Sequence, residues 1–279
     1  MMGVNLSRST VRYFRHNDMV HLESLLEAIA QEDKKLKRDT SQQRRFIIAE
    51  AVYRNIGDIC PLKEILKIKE KYFYRLVLDE TYSFGILGKT GRGLTEHVGI
   101  KSEEVEVITM TLDTVLGSVG GICIGNHGIV DHQRLSGAGY CFSASLAPFL
   151  AASAIAALKK IQNDSSLITK LSNVSKKLYA GFAAIPELKI ISDEITGIAQ
   201  LTLKEKYASD LEEAILLQKI ADYCLQNGIA ICFNKYALLH SKSLRPSLMV
   251  CANAHWSDET IRKIVDTVAK GSKAVFKSK

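Results

Sequence analysis

The chain has 279 residues, of which 47% are hydrophobic and 24% charged, and its formal net charge is +7. This size and balance supply one large α/β domain or two smaller ones with real cores, and they exclude a wholly disordered chain. The positive charge is dispersed apart from Lys34–Arg38 and the Arg44–Arg45 pair, with no zinc-finger spacing or aromatic RNA-binding pattern. It therefore predicts a solvated basic linker and no nucleic-acid surface.

In chain order, Asn17 and Asp18 are placed to cap a helix carrying Met19, Leu22, Leu25, Leu26 and Ile29. The polar stretch Gln31–Gln43 reads as a linker. Arg45–Glu50 reads as a buried strand, followed by a turn near Gly57 and a helix from Pro61 to about Tyr72. Tyr74–Asp79 is a second strand, and strand–helix–strand at this spacing predicts a right-handed parallel βαβ unit. Further strands are expected at Val105–Met110 and Gly121–Gly125, and long helices at Ser145–Gln162 and Ser165–Ile185. A second region follows, with strands Leu188–Ser192, Ile198–Leu203, Ile229–Phe233 and Leu248–Ala252. Its helices are Ser209–Asn227, stopped by Gly228, and Ser257–Phe276. The pattern is that of a mostly parallel α/β sheet with flanking helices over 1–165 and a small α+β domain over 166–279.

Tyr140–Leu158 is about long enough to cross a bilayer. Its serines, alanines and Pro148 fit a buried helix packed through small residues better, so no transmembrane segment is expected. None of the six cysteines forms a CxxC or a Cys/His cluster of metal spacing. Cys123, Cys232 and Cys251 lie in apolar runs and are expected to be buried, reduced thiols of a cytosolic compartment. His97, His132 and His255 read as ordinary helix or surface histidines, and Glu103, Glu104 and Glu106 as a solvated acidic edge.

Two segments carry chemistry. The first is Asp79-Glu80-Thr81-Tyr82-Ser83-Phe84-Gly85, with Asp79 at the C-terminal end of a parallel strand. Open α/β sheets bind ligands at that end, where a carboxylate can hold a protonated pyridine nitrogen. The residue types fit equally an Asp that only caps the next loop. The second is Thr111-Leu112-Asp113-Thr114, continuing through Gly117, Gly120 and Gly121. Alone it matches neither a P-loop nor a dinucleotide fingerprint, and Asp113-Thr114 could simply cap a turn.

Taken together, the two segments resemble the α-oxoamine synthase family, fold type I of the pyridoxal-phosphate enzymes. That family carries Asp-Glu-Ala-His-Ser-x-Gly, then Ser-Lys-Ala-x-Gly-x-x-Gly-Gly with the lysine that binds the cofactor. Here Tyr82 stands at the His and Thr114 at the lysine, and no lysine occurs from Ser102 to Leu158. A hydroxyl cannot form a Schiff base, so no catalytic residue is assigned to this chain. Within the family the chain is most similar to the lysine-lacking, long-chain-base subunits 1 of serine palmitoyltransferase. The resemblance rests on Phe14–Met19, Arg44–Glu50, Cys60–Leu62, Ser83–Gly88, Gly91–His97, Asp131–Ser136 and Gly139–Leu146. It is dense from about Ser7 to Leu158 and looser beyond.

The resemblance implies a heterodimer with a catalytic subunit 2 that holds pyridoxal 5'-phosphate on its own lysine. That complex condenses L-serine with palmitoyl-CoA to 3-ketosphinganine at the cytosolic face of the endoplasmic reticulum membrane. It implies Asp79 and Tyr82 at cofactor-binding positions, and Ser143 and Ser145 on a segment reaching across the interface toward the cofactor phosphate. Ala144 and Ala147 depart from the usual pattern there. Family members also have a membrane anchor and the first half of the cofactor domain before the point matching Ser7. A truncated chain, cytoplasmic and poorly folded without partners, is thus a second expectation. Its function would be a non-enzymatic module that binds the catalytic subunit. A self-sufficient pyridoxal-phosphate acyltransferase is the third reading, and Thr114 argues against it.

Overall fold

The structure, a computed structural model, describes residues 2–41, 43–234 and 244–277. A short helix, α1 (Met2–Leu6), precedes α2 (Met19–Lys35). Asp18 caps α2 by accepting a hydrogen bond from the His21 amide at 2.8 Å. Asn17 takes no part in the cap. It adopts a left-handed φ of 50° and turns to Asp58.

The first sheet has the order β1 (Phe46–Glu50), β2 (Arg75–Asp79), β3 (Val107–Thr111), β4 (Gly121–Gly125). The first three strands are parallel and β4 is antiparallel to β3. Between β1 and β2 runs α3 (Leu62–Tyr72), so the βαβ unit is present. Its buried Leu62, Ile65, Leu66 and Ile68 cover one face of the sheet, where Ile47, Ala49, Leu76, Leu78, Ile108 and Met110 point. Leu22 and Leu26 of α2 join the same core.

After β2 come a glycine-rich loop, α4 (Leu94–Val98) and a 3-10 turn at Ser102–Glu104. After β4 come α5 (His127–Ser136), α6 (Ala138–Cys141) and α7 (Pro148–Asn163). The helices α1, α4, α5 and α6 have no counterpart among the elements expected from the sequence, because their short or mixed segments give little periodicity. In the second region α8 (Ser166–Ala183), α9 (Asp210–Gln226) and α10 (Asp258–Lys277) pack on an antiparallel sheet. The sheet has the order β5 (Leu188–Ile190), β6 (Ile198–Leu203), β8 (Leu248–Cys251), β7 (Cys232–Phe233). Every residue of β6 is buried, because helices cover one side and the first region the other.

Several expectations fail for identifiable reasons. The basic linker begins as helix: α2 runs to Lys35, and Asp33 is buried and paired with Arg45 at 2.6 Å and Arg38 at 3.3 Å. Burial opposes the charge of Asp33, but the two guanidiniums outweigh it and lower its carboxyl from the usual value. Gln42 lies outside the described residues. Glu106 is no solvated edge: it accepts hydrogen bonds from Lys69 Nζ at 2.6 Å and from the Leu76 amide at 2.7 Å. Cys232 and Cys251 are exposed and Cys123 is half-buried, because each lies on an outer strand or at a strand end. The buried thiols are Cys60 and Cys224, which desolvation pushes up to about 12 and about 11. The helix expected in Tyr140–Leu158 begins only at Pro148, and of α7 only Ala154 is buried. Among the described residues no helix is long and apolar enough to cross a membrane.

Candidate functional site

The parallel strands bring their C-terminal ends to one level. The register places Glu50, Asp79, Thr109 and Cys123 in one row across all four strands, on the face opposite α3. Thr109 Oγ1 donates to Asp79 Oδ2 at 3.2 Å, and the Thr81 amide donates to Asp79 Oδ1 at 2.9 Å. Desolvation raises the Glu50 carboxyl, and the neighbouring charge of Asp79 adds to it. Glu50 is solvent-accessible, so this marks a recess at the strand ends and not a buried site. Gln133 Nε2 reaches Cys123 Sγ at 3.1 Å from α5.

Each strand end feeds a loop. The loop after β2 wraps round Glu80, which is buried and accepts from the Ser83 hydroxyl and from the Leu94 amide at 2.9 Å. Desolvation raises the Glu80 carboxyl in spite of these donors. Gly93 has φ +90°, and a Cβ there would lie 2.4 Å from Glu80 Oε2. The loop after β3 carries Val115, next to Thr114, against Gly85, where a Cβ would lie 2.3 Å from Val115 Cγ1. The two motif segments, separated in sequence, are thus packed together, and only glycine fits at their contact.

Thr114 is exposed, and its Oγ1 donates to the Thr81 carbonyl at 3.0 Å. Thr81 Oγ1 in turn accepts from the Thr111 amide at 3.1 Å. Asp113 accepts from the Thr111 hydroxyl and caps no helix. Tyr82 is half-buried beneath Arg54, whose guanidinium carbon lies 5.9 Å from the ring centre. Ser143 and Ser145 are exposed beyond α6, and the Ser143 hydroxyl donates to the Gly139 carbonyl. The structure therefore joins Asp79 and Thr114 through Thr81, sets Tyr82 beside them under Arg54, and leaves Ser143 and Ser145 on a separate exposed segment.

The loop after β1 also joins the two sheets, a role no sequence motif signalled. Gln200 Nε2 donates to the Arg54 carbonyl at 2.9 Å, Thr196 Oγ1 to the Gly57 carbonyl at 2.9 Å, and the Ile59 amide to Asp193 Oδ2 at 2.9 Å. His16 Nε2 lies 2.6 Å from Asp58 Oδ2, and its ring meets Tyr53 edge-on at 4.5 Å. His16 and Asp58 are 42 residues apart, beyond any local spacing rule.

The family model for aminotransferase class I and II matches residues 2–268. The chain belongs to that family. It is 40% identical over 263 residues to "Long chain base biosynthesis protein 1c" of Oryza sativa subsp. japonica, covering 94% of this chain and 54% of the relative. It is 36% identical over 284 residues to "Serine palmitoyltransferase 1" of Dictyostelium discoideum, covering 99% and 58%. The chain thus spans little more than half the length of these relatives. A structure of "SPT with PLP internal aldimine" superposes with a TM-score of 0.78 at 23% identity, covering 94% of this chain and 61% of that one. The likeness to that structure establishes the fold.

The residues present fit one end of a pyridoxal phosphate. Each Asp79 oxygen accepts one internal hydrogen bond and keeps further lone-pair capacity for a protonated ring nitrogen. The adjoining loop offers at Thr114 a hydroxyl, which cannot form a Schiff base.

Proposed function

We propose that this chain is a non-catalytic, supporting part of serine palmitoyltransferase. In this reading a catalytic subunit 2 carries pyridoxal 5'-phosphate on its own lysine and condenses L-serine with palmitoyl-CoA to 3-ketosphinganine. The complex works at the cytosolic face of the endoplasmic reticulum membrane. The partial cofactor domain runs to residue 165 and the small domain begins at 166, between α7 and α8.

One observation carries the reading. Thr114 sits in the loop that abuts the Asp79 motif, with its hydroxyl committed to the Thr81 carbonyl. The site keeps the carboxylate that serves a pyridine ring and lacks the amine that would hold it. When bound, the cofactor supplies an electron sink for carbanion chemistry. The contributions of this chain are positional: Asp79 and Tyr82 shape the strand-end recess, and Ser143 and Ser145 reach toward the cofactor phosphate of the partner.

Co-expression with the catalytic subunit, followed by an assay for 3-ketosphinganine, tests this. The expected result is co-purification and activity of the pair, with none from this chain alone. Activity of the isolated chain overturns the reading. Binding without activity replaces it with a non-enzymatic interaction module, a role that the exposed apolar residues of α5–α7 also suit.

A further inference from the structure

The N-terminal ends of β1 and β2 lie at the opposite end of the sheet from the candidate site, and α2 and α3 both finish there. Arg45, at the start of β1, pairs with Asp33 of α2 at 2.6 Å, and its guanidinium carbon lies 5.7 Å from the centre of the Tyr74 ring. The Arg75 amide, at the start of β2, donates to the Arg45 carbonyl at 2.9 Å. Each of the two helices stops on an exposed apolar side chain: Leu36 caps α2 at 54% exposure, and Phe73 caps α3 at 91%. Phe73 is unfavourable in two ways. Its ring faces water and gains almost nothing from packing, and its φ of 58° is the left-handed conformation in which helices usually end on glycine or asparagine.

Charge is concentrated around these two residues. Residues 32–45 hold six basic and three acidic side chains, so they carry nearly half of the net charge of +7. Glu32 and Asp33 are engaged by Arg38 and Arg45. Lys34, Lys35, Lys37 and Arg44 are exposed and make no ion pair among the described residues. The acidic residues nearby are Asp39, which accepts from Ser41, the exposed Glu70, and Glu103 and Glu104 on the far side, before β3. The positive surface thus lies on the side of α2 and β1.

We propose that this end of the molecule is a docking surface for an anionic lipid bilayer. Phe73 and Leu36 enter the headgroup region, and Lys34, Lys35, Lys37 and Arg44 face the anionic headgroups. Exposed apolar side chains flanked by unpaired basic ones are the composition that binds such an interface, through buried apolar area and electrostatic attraction together. Single-stranded nucleic acid fits less well. Its bases stack on aromatic rings set among the basic residues, and residues 32–45 contain no aromatic. Docking through this end leaves the recess at the C-terminal strand ends open, and the proposal stands apart from the function assigned to that recess.

Co-sedimentation of the full chain with lipid vesicles tests this, using phosphatidylcholine alone and phosphatidylcholine mixed with phosphatidylserine. The expected result is binding to the mixed vesicles only, weakening as salt rises. Lys34→Gln with Lys35→Gln should weaken that binding roughly fivefold for each charge removed. Phe73→Asn should weaken it about tenfold and keep the far-ultraviolet dichroism of the chain, because asparagine tolerates the left-handed conformation. Equal binding to both kinds of vesicle, binding to neither, or unchanged binding in either variant overturns the proposal. Preference for polyuridylate over the mixed vesicles overturns it as well. Vesicle binding requires neither the catalytic subunit nor the cofactor, so its failure leaves the assay for 3-ketosphinganine unaffected.

Discussion

The Thr114 hydroxyl donates to the Thr81 carbonyl at 3.0 Å, and so ties the loop after β3 to the loop after β2. Thr114, proposed to stand at the position of the cofactor-binding lysine, is part of a structural network with Thr81, Thr109, Thr111 and Asp79. Thr114→Val removes one donor at an exposed place. The expected cost is about 0.5 to 1 kcal/mol, read as a lower urea midpoint with an unchanged slope. Activity of the complex with the catalytic subunit should not change.

The proposed division of labour separates two groups of residues. In the complex, Ser143→Ala with Ser145→Ala should weaken cofactor retention about two- to tenfold, the worth of one or two hydrogen bonds. Asp79→Asn in this chain should leave the visible absorbance of the complex unchanged, because in the proposed arrangement the cofactor is held by the partner. Equilibrium dialysis and absorbance spectra measure both.

Lys69 is buried and its ammonium meets Glu106 Oε1 and the Glu104 carbonyl, both at 2.6 Å. Burial works against the charge of Glu106, but the Leu76 amide and Lys69 overcome it and hold the carboxyl below its ordinary value of 4.5. A depressed carboxylate contributes stability that is present above the unfolded value and lost as pH falls through the folded one. The melting temperature should therefore drop as pH falls below about 4.5. In Glu106→Gln that acid-dependent part should shrink. Glu106→Ala strands the Lys69 ammonium and should cost roughly 3 kcal/mol at neutral pH.

Gly93 tests the buried carboxylate of Glu80. Gly93→Ala places a Cβ 2.4 Å from Glu80 Oε2 at a φ of +90°. The expected loss is about 1 to 3 kcal/mol. Gly99→Ala, at φ +71° with no atom within 4 Å, isolates the backbone part of that cost and should lose less in the same thermal melt.

What was legible in the sequence follows how local its cause is. The Asp18 cap, the βαβ unit and the strand-end position of Asp79 rest on short-range patterns, and the structure reproduces them. The burial of Asp33, Lys69 and Glu106 was not legible, because a charged residue reads as exposed until its partner is known, and these partners lie up to 37 residues away. Cys232 and Cys251 failed in the opposite sense: apolar neighbours suggested a core, but the first lies on an outer strand and the second at a strand end. Arg54 over Tyr82 joins two loops of the first sheet, and the clamp from Gln200 and Thr196 onto the loop after β1 joins the two sheets; no spacing rule connects either pair.

The central claim is that this chain cannot hold the cofactor covalently. The direct measurement is borohydride reduction of the complex with pyridoxal 5'-phosphate, followed by peptide mapping by mass spectrometry. The account predicts one stoichiometric phosphopyridoxyl-lysine on the catalytic subunit and none on this chain. A stoichiometric label on any lysine of this chain would contradict it.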